Sequence, residues 1–142
     1  GLQFINALVD AHKRGVAVRV LLDDEGLRYS PRPVDSKLKR AGVATARFIP
    51  RRLRYLPFLN LRNHRKFMVV DGQTAFIGGM NIRHGNLLAA NPRHPVRDIH
   101  FRVIGPVIEQ INALFEEDWL FAAGEDIKLP SWTASSGDSS GA

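Results

Sequence analysis

The sequence has no cysteine among its 142 residues. It therefore has no disulfide, no thiolate metal site and no thiol nucleophile, a composition that fits a reducing compartment. It also lacks any apolar run near the roughly 20 residues of a membrane-spanning helix, and its first residues do not follow the charged and then apolar layout of a signal peptide. We therefore predict a chain that is cytoplasmic or lies peripherally at a membrane.

Acidic residues are also few relative to basic ones. The 14 Asp and Glu residues face 20 Lys and Arg residues, which gives a formal net charge of +6. This excess favours an anionic partner, namely nucleic acid, an acidic membrane surface or a phosphorylated substrate; a role in solubility is the alternative. The length and the 44% hydrophobic content suffice for one globular domain and not for two.

Helical and strand patterns alternate in the first third of the sequence. Apolar residues recur at helical spacing over 2–14, and a nearly continuous apolar stretch, typical of a buried parallel strand, follows over 16–23. The same order repeats as a short helix over 34–42 and a strand over 43–50. A helix followed by a buried strand, twice over, indicates an α/β fold.

The second half of the sequence predicts a hairpin with its turn at 72–73, a strand over 98–105 and a long helix over 106–119. Together the elements predict an α/β fold with a mixed, largely parallel sheet flanked by helices. Residues 1–127 are expected to form this domain. The Ser/Gly-rich residues 128–142 are expected to form a flexible tail or linker.

Residues suited to phosphate chemistry surround the hairpin. His64 and Lys66 stand two apart at the start of a strand, so their side chains are expected on the same face. A neutral imidazole is a competent nucleophile, and a neighbouring ammonium both holds a phosphate and disfavours the imidazolium. Asn81 follows the second strand, where its amide is placed to donate to a phosphate oxygen, while Gly78 and Gly79 allow close approach of backbone to phosphate. This chemistry needs no metal ion.

Each of these residues also has an ordinary structural interpretation. Taken alone, His64 would be a surface histidine, Lys66 unremarkable and Gly79 a plain sheet glycine, and it is the spacing that favours function. Asp71 directly precedes Gly72 and stands seven residues from His64. Its side chain is therefore expected on the opposite face, and we predict a structural role for Asp71 in the turn.

The spacing resembles the signature of the phospholipase D superfamily: His-x-Lys, four residues, Asp, six residues, Gly-Gly or Gly-Ser, one residue and Asn. Every position is filled, with Asp71 as the aspartate of the catalytic motif. The resemblance implies a phospholipase D-like half domain. It extends to the cardiolipin synthase branch over most of 11–119, through the stretches AHKRGVAVRVLLDDEG, AGVATARFIP, NHRKFMVVDG, AFIGGMNI, VRDIHFRVIGP and LFEEDW.

In that family the histidine attacks phosphorus to form a covalent phosphohistidine, and the lysine and asparagine bind the phosphate oxygens. The resemblance therefore implies that His64 is the nucleophile and that Lys66 and Asn81 bind the phosphate, with Gly79 beside them. It also makes Asp98 the counterpart of an acidic residue that orients the histidine; an aspartate that merely begins a strand is an equally weighted alternative. No cofactor is implied.

One half of the family's active centre is missing from the sequence. Family members carry a second His-x-Lys motif that supplies the acid, and none of the other four histidines has lysine two residues later: His12, His84, His94 and His100. The sequence also begins directly with a helix where the family has a strand, and it ends in the linker-like tail. We therefore predict a fragment of a longer protein, whose second half lies in cis or is supplied in trans by a homodimer.

The residues at 51–66 interleave arginines with leucine, tyrosine and phenylalanine. They suit an anionic membrane surface, or equally a segment packed on the core with solvated arginines. We predict a phosphatidyltransferase or phospholipase D that acts on phospholipids. The alternatives are a metal-independent, homodimeric endonuclease, with nucleic acid the less favoured partner, and an inactive half.

Overall fold

The computed structural model of the chain describes residues 2–23, 34–48, 63–82 and 84–134. The helices and strands in these ranges are α1 (Leu2–Lys13), β1 (Arg19–Asp23), α2 (Val34–Arg40), β2 (Ala44–Phe48), β3 (Phe67–Val70), β4 (Thr74–Gly78), β5 (His100–Ile104) and α3 (Val107–Ala123). Most of the segment that is predicted to meet a membrane, residues 51–62, lies outside the described ranges. No helix within them has the length and apolar character that crossing a membrane requires.

The first part of the domain is a parallel pair of strands with two helices. β1 and β2 pair from Arg19 opposite Ala44 to Asp23 opposite Phe48. The helices α1 and α2 bury aliphatic side chains with this pair, and each such side chain contributes roughly 1.5–3 kcal/mol. The buried members of the cluster are Ile5, Val9, Leu38 and Val43. The predicted helix–strand repeat is confirmed. The first strand begins at Arg19 rather than at residue 16, because its pairing begins there, opposite the first residue of β2.

The second part is an antiparallel sheet with strand order β3-β4-β5. Asp71 and Gly72 form the turn between β3 and β4, with φ of 53° and 65°, and the Gln73 N–H donates to the Val70 carbonyl at 3.0 Å. The turn therefore starts one residue before the predicted position. The reason is that Asp-Gly tolerates positive φ at both central positions of a tight hairpin turn.

Helix α3 joins the two sheets through one face. Its first half packs on the antiparallel sheet, where Ala75 and Ile108 are fully buried, and its second half packs beside β2, where Trp119 is 2% exposed. Phe115 links the two regions, since its ring stacks on Trp119 at 5.7 Å and meets the edge of Phe67 at 6.3 Å. The position of α3 relative to β3 is therefore set by both clusters.

The mixed α/β class is confirmed, with helices beside two small sheets. The prediction of a largely parallel sheet is shown only in part. Among the described strands, β1 and β2 are parallel, and β3, β4 and β5 are antiparallel. A short connection such as the Asp-Gly turn permits only antiparallel neighbours, because a parallel pair needs a crossover of a dozen or more residues.

The segment after α3 packs on the domain as far as residue 134, in contrast to the predicted flexible tail. The Leu129 N–H donates to Glu116 Oε1 at 2.7 Å, and Lys128 Nζ donates to Glu116 Oε2 at 3.0 Å. The hydrogen bond from Leu129, supported by Lys128, lowers the pKa of Glu116 against the opposing effect of burial. The residues after 134 lie outside the described ranges, and a domain boundary after residue 127 stays a prediction.

An ion pair connects α2 to β2. Asp35 is 5% exposed, and its Oδ2 accepts from Arg47 Nε at 3.1 Å and from Arg47 Nη2 at 2.5 Å. Burial raises the pKa of the Asp35 carboxyl, but the hydrogen bond and the charge of Arg47 outweigh it, so the pKa lies below its ordinary value of 3.8. The carboxylate is thus kept ionised inside the first part of the domain.

We expect Asp35→Asn to lower the free energy of unfolding by about 2 kcal/mol at neutral pH, because a charge-assisted hydrogen bond is lost in a buried place. A lowered folded-state pKa gives stability that is present above the unfolded value and lost as the pH falls through the folded value. Urea unfolding should therefore show the gap between wild type and variant closing below pH 3.8. The exposed Asp10→Asn is the matched control, and a gap that persists or widens in acid would contradict the assignment.

Candidate active site

The register of the antiparallel sheet gathers most of the predicted site residues at one end. Gly78 lies opposite His100, and its N–H donates to the Lys66 carbonyl at 3.1 Å, while the Gly79 N–H donates to the Ile99 carbonyl at 3.2 Å. The beginning of β3, the end of β4 and the beginning of β5 therefore meet. The predicted site residues at this end are His64, Lys66, Gly79, Asn81 and Asp98.

The side chains at the beginning of β3 alternate between two faces. Arg65 reaches a carboxylate of α3, and Phe67 packs against Phe115 of the same helix. Lys66, and by the same alternation His64, belong to the face that points away from α3. The common face that the sequence predicts for His64 and Lys66 is therefore the face that α3 leaves uncovered.

His64 and Lys66 are held close together. His64 is exposed and Lys66 is half-buried. Lys66 Nζ donates to the His64 carbonyl oxygen at 2.7 Å, so the ammonium lies beside the backbone of the predicted nucleophile. A phosphate that approaches the exposed imidazole would thus come within the field of a cation, which stabilises its negative charge.

Gly78 and Gly79 lie directly beneath the start of β5. A Cβ at Gly78 would lie 2.1 Å from the Ile99 carbonyl oxygen, and a Cβ at Gly79 would lie 2.4 Å from Asp98 Oδ1. Asp98 Oδ1 also accepts from the Ile99 N–H at 2.8 Å. The sequence predicted that this glycine pair makes room for a phosphate, whereas the neighbour found in the structure is the Asp98 segment. Phosphate binding by Gly79 stays a prediction.

Asn81 and Asp71 lie at opposite ends of the hairpin. Asn81 is exposed just beyond the end of β4, at the same end of the sheet as His64 and Asp98. Asp71 lies in the turn at the far end of β3, roughly 20 Å along the strand from His64. The structure therefore brings Asn81 to the candidate site and leaves Asp71 outside it, as the predicted turn role of Asp71 requires.

The structure adds a network that the sequence did not indicate. Asp118 of α3 is 6% exposed and accepts hydrogen bonds from Asn63 Nδ2 at 2.7 Å and from Arg65 Nη1 at 2.5 and 2.7 Å. Its two donors are the neighbours of His64 on either side. Strand alternation could have placed Asn63 and Arg65 on the helix-facing side, but the partner, some 50 residues later, depends on the packing of α3.

His100 also shares the face of Lys66. Gly78 lies between the two in one row across the sheet, and the His100 ring leans over this glycine, since a Cβ there would lie 2.8 Å from Nδ1. The Nδ1 atom is buried and has no hydrogen-bond partner among the described residues. Counting alternate residues along β5 from Asp98 would have placed His100 on this face.

These groups suit reactions at phosphorus. An exposed imidazole can act as a nucleophile, an ammonium and an amide can donate to phosphate oxygens, and a carboxylate on the far side of β4 can accept a proton or orient a ring. Within the described ranges, no group of three or more His, Asp and Glu side chains is arranged to hold a metal ion. At this end of the sheet the described residues therefore place an exposed imidazole near an ammonium and a side-chain amide.

Comparison with known proteins matches residues 2–119 to a family model described as cardiolipin synthase, PLD-like domain. Cardiolipin synthase A of Pseudomonas fluorescens (strain SBW25) is 40% identical over 126 residues, which is 88% of this chain and 26% of that protein. The major cardiolipin synthase ClsA of Bacillus subtilis (strain 168) is 37% identical over 121 residues, 84% of this chain and 25% of its own length. Cardiolipin synthase A of Pseudomonas putida (strain W619) is 43% identical over 110 residues, 76% of this chain and 23% of its own length.

The matched region is a part of these relatives. The chain spans about a quarter of the length of the curated relatives it matches. No solved structure matches the chain.

Proposed function

Because this chain belongs to the family of cardiolipin synthase, PLD-like domains, we propose that it carries one half of the active centre of a phosphatidyltransferase. The observation that carries the proposal is the gathering of His64, Lys66, Asn81 and Asp98 at one end of the antiparallel sheet. The names of the relatives add the substrate class, a phospholipid. A hydrolytic phospholipase D would use the same residues with water as the acceptor.

The proposed reaction has two displacements at phosphorus. In the first, a ring nitrogen of His64 attacks the phosphodiester, an N–P bond forms, and the P–O bond to the leaving alcohol breaks. The acid of a second half-site protonates the departing oxygen. In the second, an acceptor alcohol gives its proton to the same group, now a base, and attacks phosphorus; the N–P bond breaks and His64 is restored. Protons and bonds balance over the cycle.

The other residues have supporting roles in this proposal. Lys66 and Asn81 donate to the non-bridging oxygens, where negative charge grows as the histidine attacks. Asp98 lies two residues before β5, with β4 between it and the His64 end of β3, and accepts the second ring N–H of His64 when substrate is bound. Gly79 gives the Asp98 carboxylate the space that this approach requires.

A lipid substrate is favoured over a polynucleotide by the surface around the site. Large apolar side chains are exposed at this end of the sheet, with Ile82 at 60% and Ile99 at 65% exposure. A surface that binds nucleic acid is instead dominated by polar and basic contacts to phosphates. We propose that the +6 net charge and these apolar groups together let the site approach an anionic phospholipid surface.

Substrate class is tested by giving the protein encoded by the full reading frame two substrates, phosphatidylglycerol vesicles and plasmid DNA, in the presence of a metal chelator. The proposal predicts formation of a transphosphatidylation product and intact plasmid. Cleavage of the plasmid that disappears with His64→Ala would instead support the endonuclease, and would refute the lipid assignment.

We expect the 142-residue chain alone to turn over phosphatidylglycerol at least about 10²-fold more slowly than the full protein, because general-acid catalysis contributes 10²–10⁴-fold and its acid belongs to the second half-site. The measurement is a rate assay on a sample whose mass in solution is determined in parallel. Full activity from a demonstrated monomer would contradict the need for a second half, and activity confined to a dimer would indicate that the half is supplied in trans.

A further inference from the structure

Three hydrogen-bonded side chains enclose the backbone of His64. Asn63 Oδ1 accepts from the Arg65 N–H at 3.1 Å, which closes a turn across His64. Asn63 Nδ2 and Arg65 Nη1 both donate to the Asp118 carboxylate, at distances of 2.5–2.7 Å. The residue between them therefore has its backbone fixed from both sides, and its side chain is directed to the opposite face.

Asp118 has a fixed position because of its neighbours on α3. Trp119 is 2% exposed in the cluster beside β2, and its Nε1 donates to Glu125 Oε2 at 3.0 Å. Phe115, one turn earlier, stacks on that indole and meets Phe67 of β3. The helix is thus held at the position of Asp118 by contacts to both sheets, and its carboxylate serves as a rigid reference for the start of β3.

Asp118 and Arg65 depend on each other, because Asp118 is buried and Arg65 is not. A carboxylate with a 9% exposed side chain is costly to hide from water, and it becomes tolerable when charged and polar donors satisfy it. Arg65 is 46% exposed and would be free to move in water without this partner. The ion pair therefore restricts the Arg65 side chain and favours a single conformation of the segment that contains His64.

We propose that Asp118 is a positioning residue, which sets the orientation of the His64 imidazole by bracing Asn63 and Arg65 against α3. The inference rests on the proposed function for its catalytic consequence, since His64 is taken as the nucleophile. It goes beyond that function in assigning a role to a helix residue that does not touch the substrate. A misplacement of about 1 Å at a reacting group costs on the order of 10²-fold in rate, which sets the scale of the effect.

The first arm of the test measures kinetics in the full reading-frame protein. Asp118→Ala should lower kcat about 10²-fold and leave KM for phosphatidylglycerol nearly unchanged, because orientation and not substrate affinity is lost. Asp118→Glu should recover part of the loss, and Asp118→Ala with Arg65→Ala should be little worse than Asp118→Ala alone. Glu117→Ala, an exposed neighbour on the same helix, is the matched control and should retain wild-type kcat.

The second arm measures hydrogen exchange at the Arg65 amide, which needs no substrate. Asp118→Ala should accelerate this exchange at least about tenfold, with Glu117→Ala unchanged and the melting temperature reported for each variant. Faster exchange with wild-type kcat would overturn the proposal by showing a purely structural contact. Lower kcat with unchanged exchange would also overturn the proposal, because the loss of rate would then not arise from a change in the backbone beside His64. If the wild type is inactive on lipid, only the proposed function is refuted, because the hydrogen-exchange measurement tests the positioning by Asp118 without a substrate.

Discussion

His64→Ala is expected to lower the rate of phosphatidyl transfer by at least about 10³-fold, the largest effect of any single substitution in this chain. Removal of a covalent nucleophile eliminates the intermediate, and what remains is binding and electrostatic stabilisation by the other groups. The measurement is kcat for the full reading-frame protein on phosphatidylglycerol vesicles. Because the His64 side chain is exposed, its truncation should leave the melting temperature within a few degrees of wild type.

His94 supplies the matched control for this substitution. It is an exposed histidine in the connection between β4 and β5, outside the group at the end of the sheet. His94→Ala should retain wild-type kcat, which separates the loss of one imidazole at the site from the loss of an imidazole in general. A His64→Ala protein that keeps more than a tenth of wild-type kcat would contradict the assignment of His64 as nucleophile.

Gly78→Ala is expected to have the largest effect on stability. The added Cβ would lie 2.1 Å from the Ile99 carbonyl oxygen and 2.8 Å from the His100 Cα, so backbone rather than a flexible side chain must move. Overpacking of this kind costs about 3 kcal/mol. The measurement is the free energy of unfolding by urea, together with kcat, which should fall because the shift displaces the segment that contains Asp98 and leads into β5.

Gly124→Ala distinguishes steric collision from backbone strain. Gly124 ends α3 with a φ of 71°, and no atom lies within 4 Å of a Cβ built there, so its substitution costs only the strain of a left-handed residue, about 1 kcal/mol. Gly78 has the opposite character, with close neighbours and an ordinary φ. Equal losses of stability in the two variants would contradict the close contact between β4 and β5 at Gly78.

The elements of this fold could be predicted from local patterns, and their pairing could be predicted only where a short turn dictated it. The helical spacing over 2–14 and the hairpin turn predicted at 72–73 each depend on a few neighbouring residues, and both predictions hold to within one residue. The extent of parallel pairing could not be derived, because it depends on which strands meet across long connections. The packing of residues 128–134 was missed for a related reason, since Leu129 is held by a hydrogen bond to Glu116 and by apolar contact with the cluster that contains Trp119, both on α3.

In the candidate site, too, local sequence patterns predict some features, and others depend on long-range packing. The two-residue spacing of His64 and Lys66 suffices to predict a shared face, because strand geometry alternates. The neighbour of the glycine pair could not be predicted, because the position of Asp98 above Gly79 follows from the β4–β5 register. The role of Asp118 could not be predicted either, since no sequence pattern near Asp118 indicates a contact with Asn63 or Arg65. Long-range contacts of this kind require the packed structure.

The proposed function requires that His64 becomes covalently attached to phosphorus during turnover. The most direct measurement is mass spectrometry of the His64 peptide after phosphatidylglycerol is mixed with the full reading-frame protein and the reaction is quenched in alkaline denaturant. We expect a phosphatidyl adduct on His64 that forms within one turnover, disappears when an acceptor alcohol is added, and is absent from His64→Ala. Turnover at the wild-type rate with no adduct on this peptide, or with the adduct on a different residue, would contradict it.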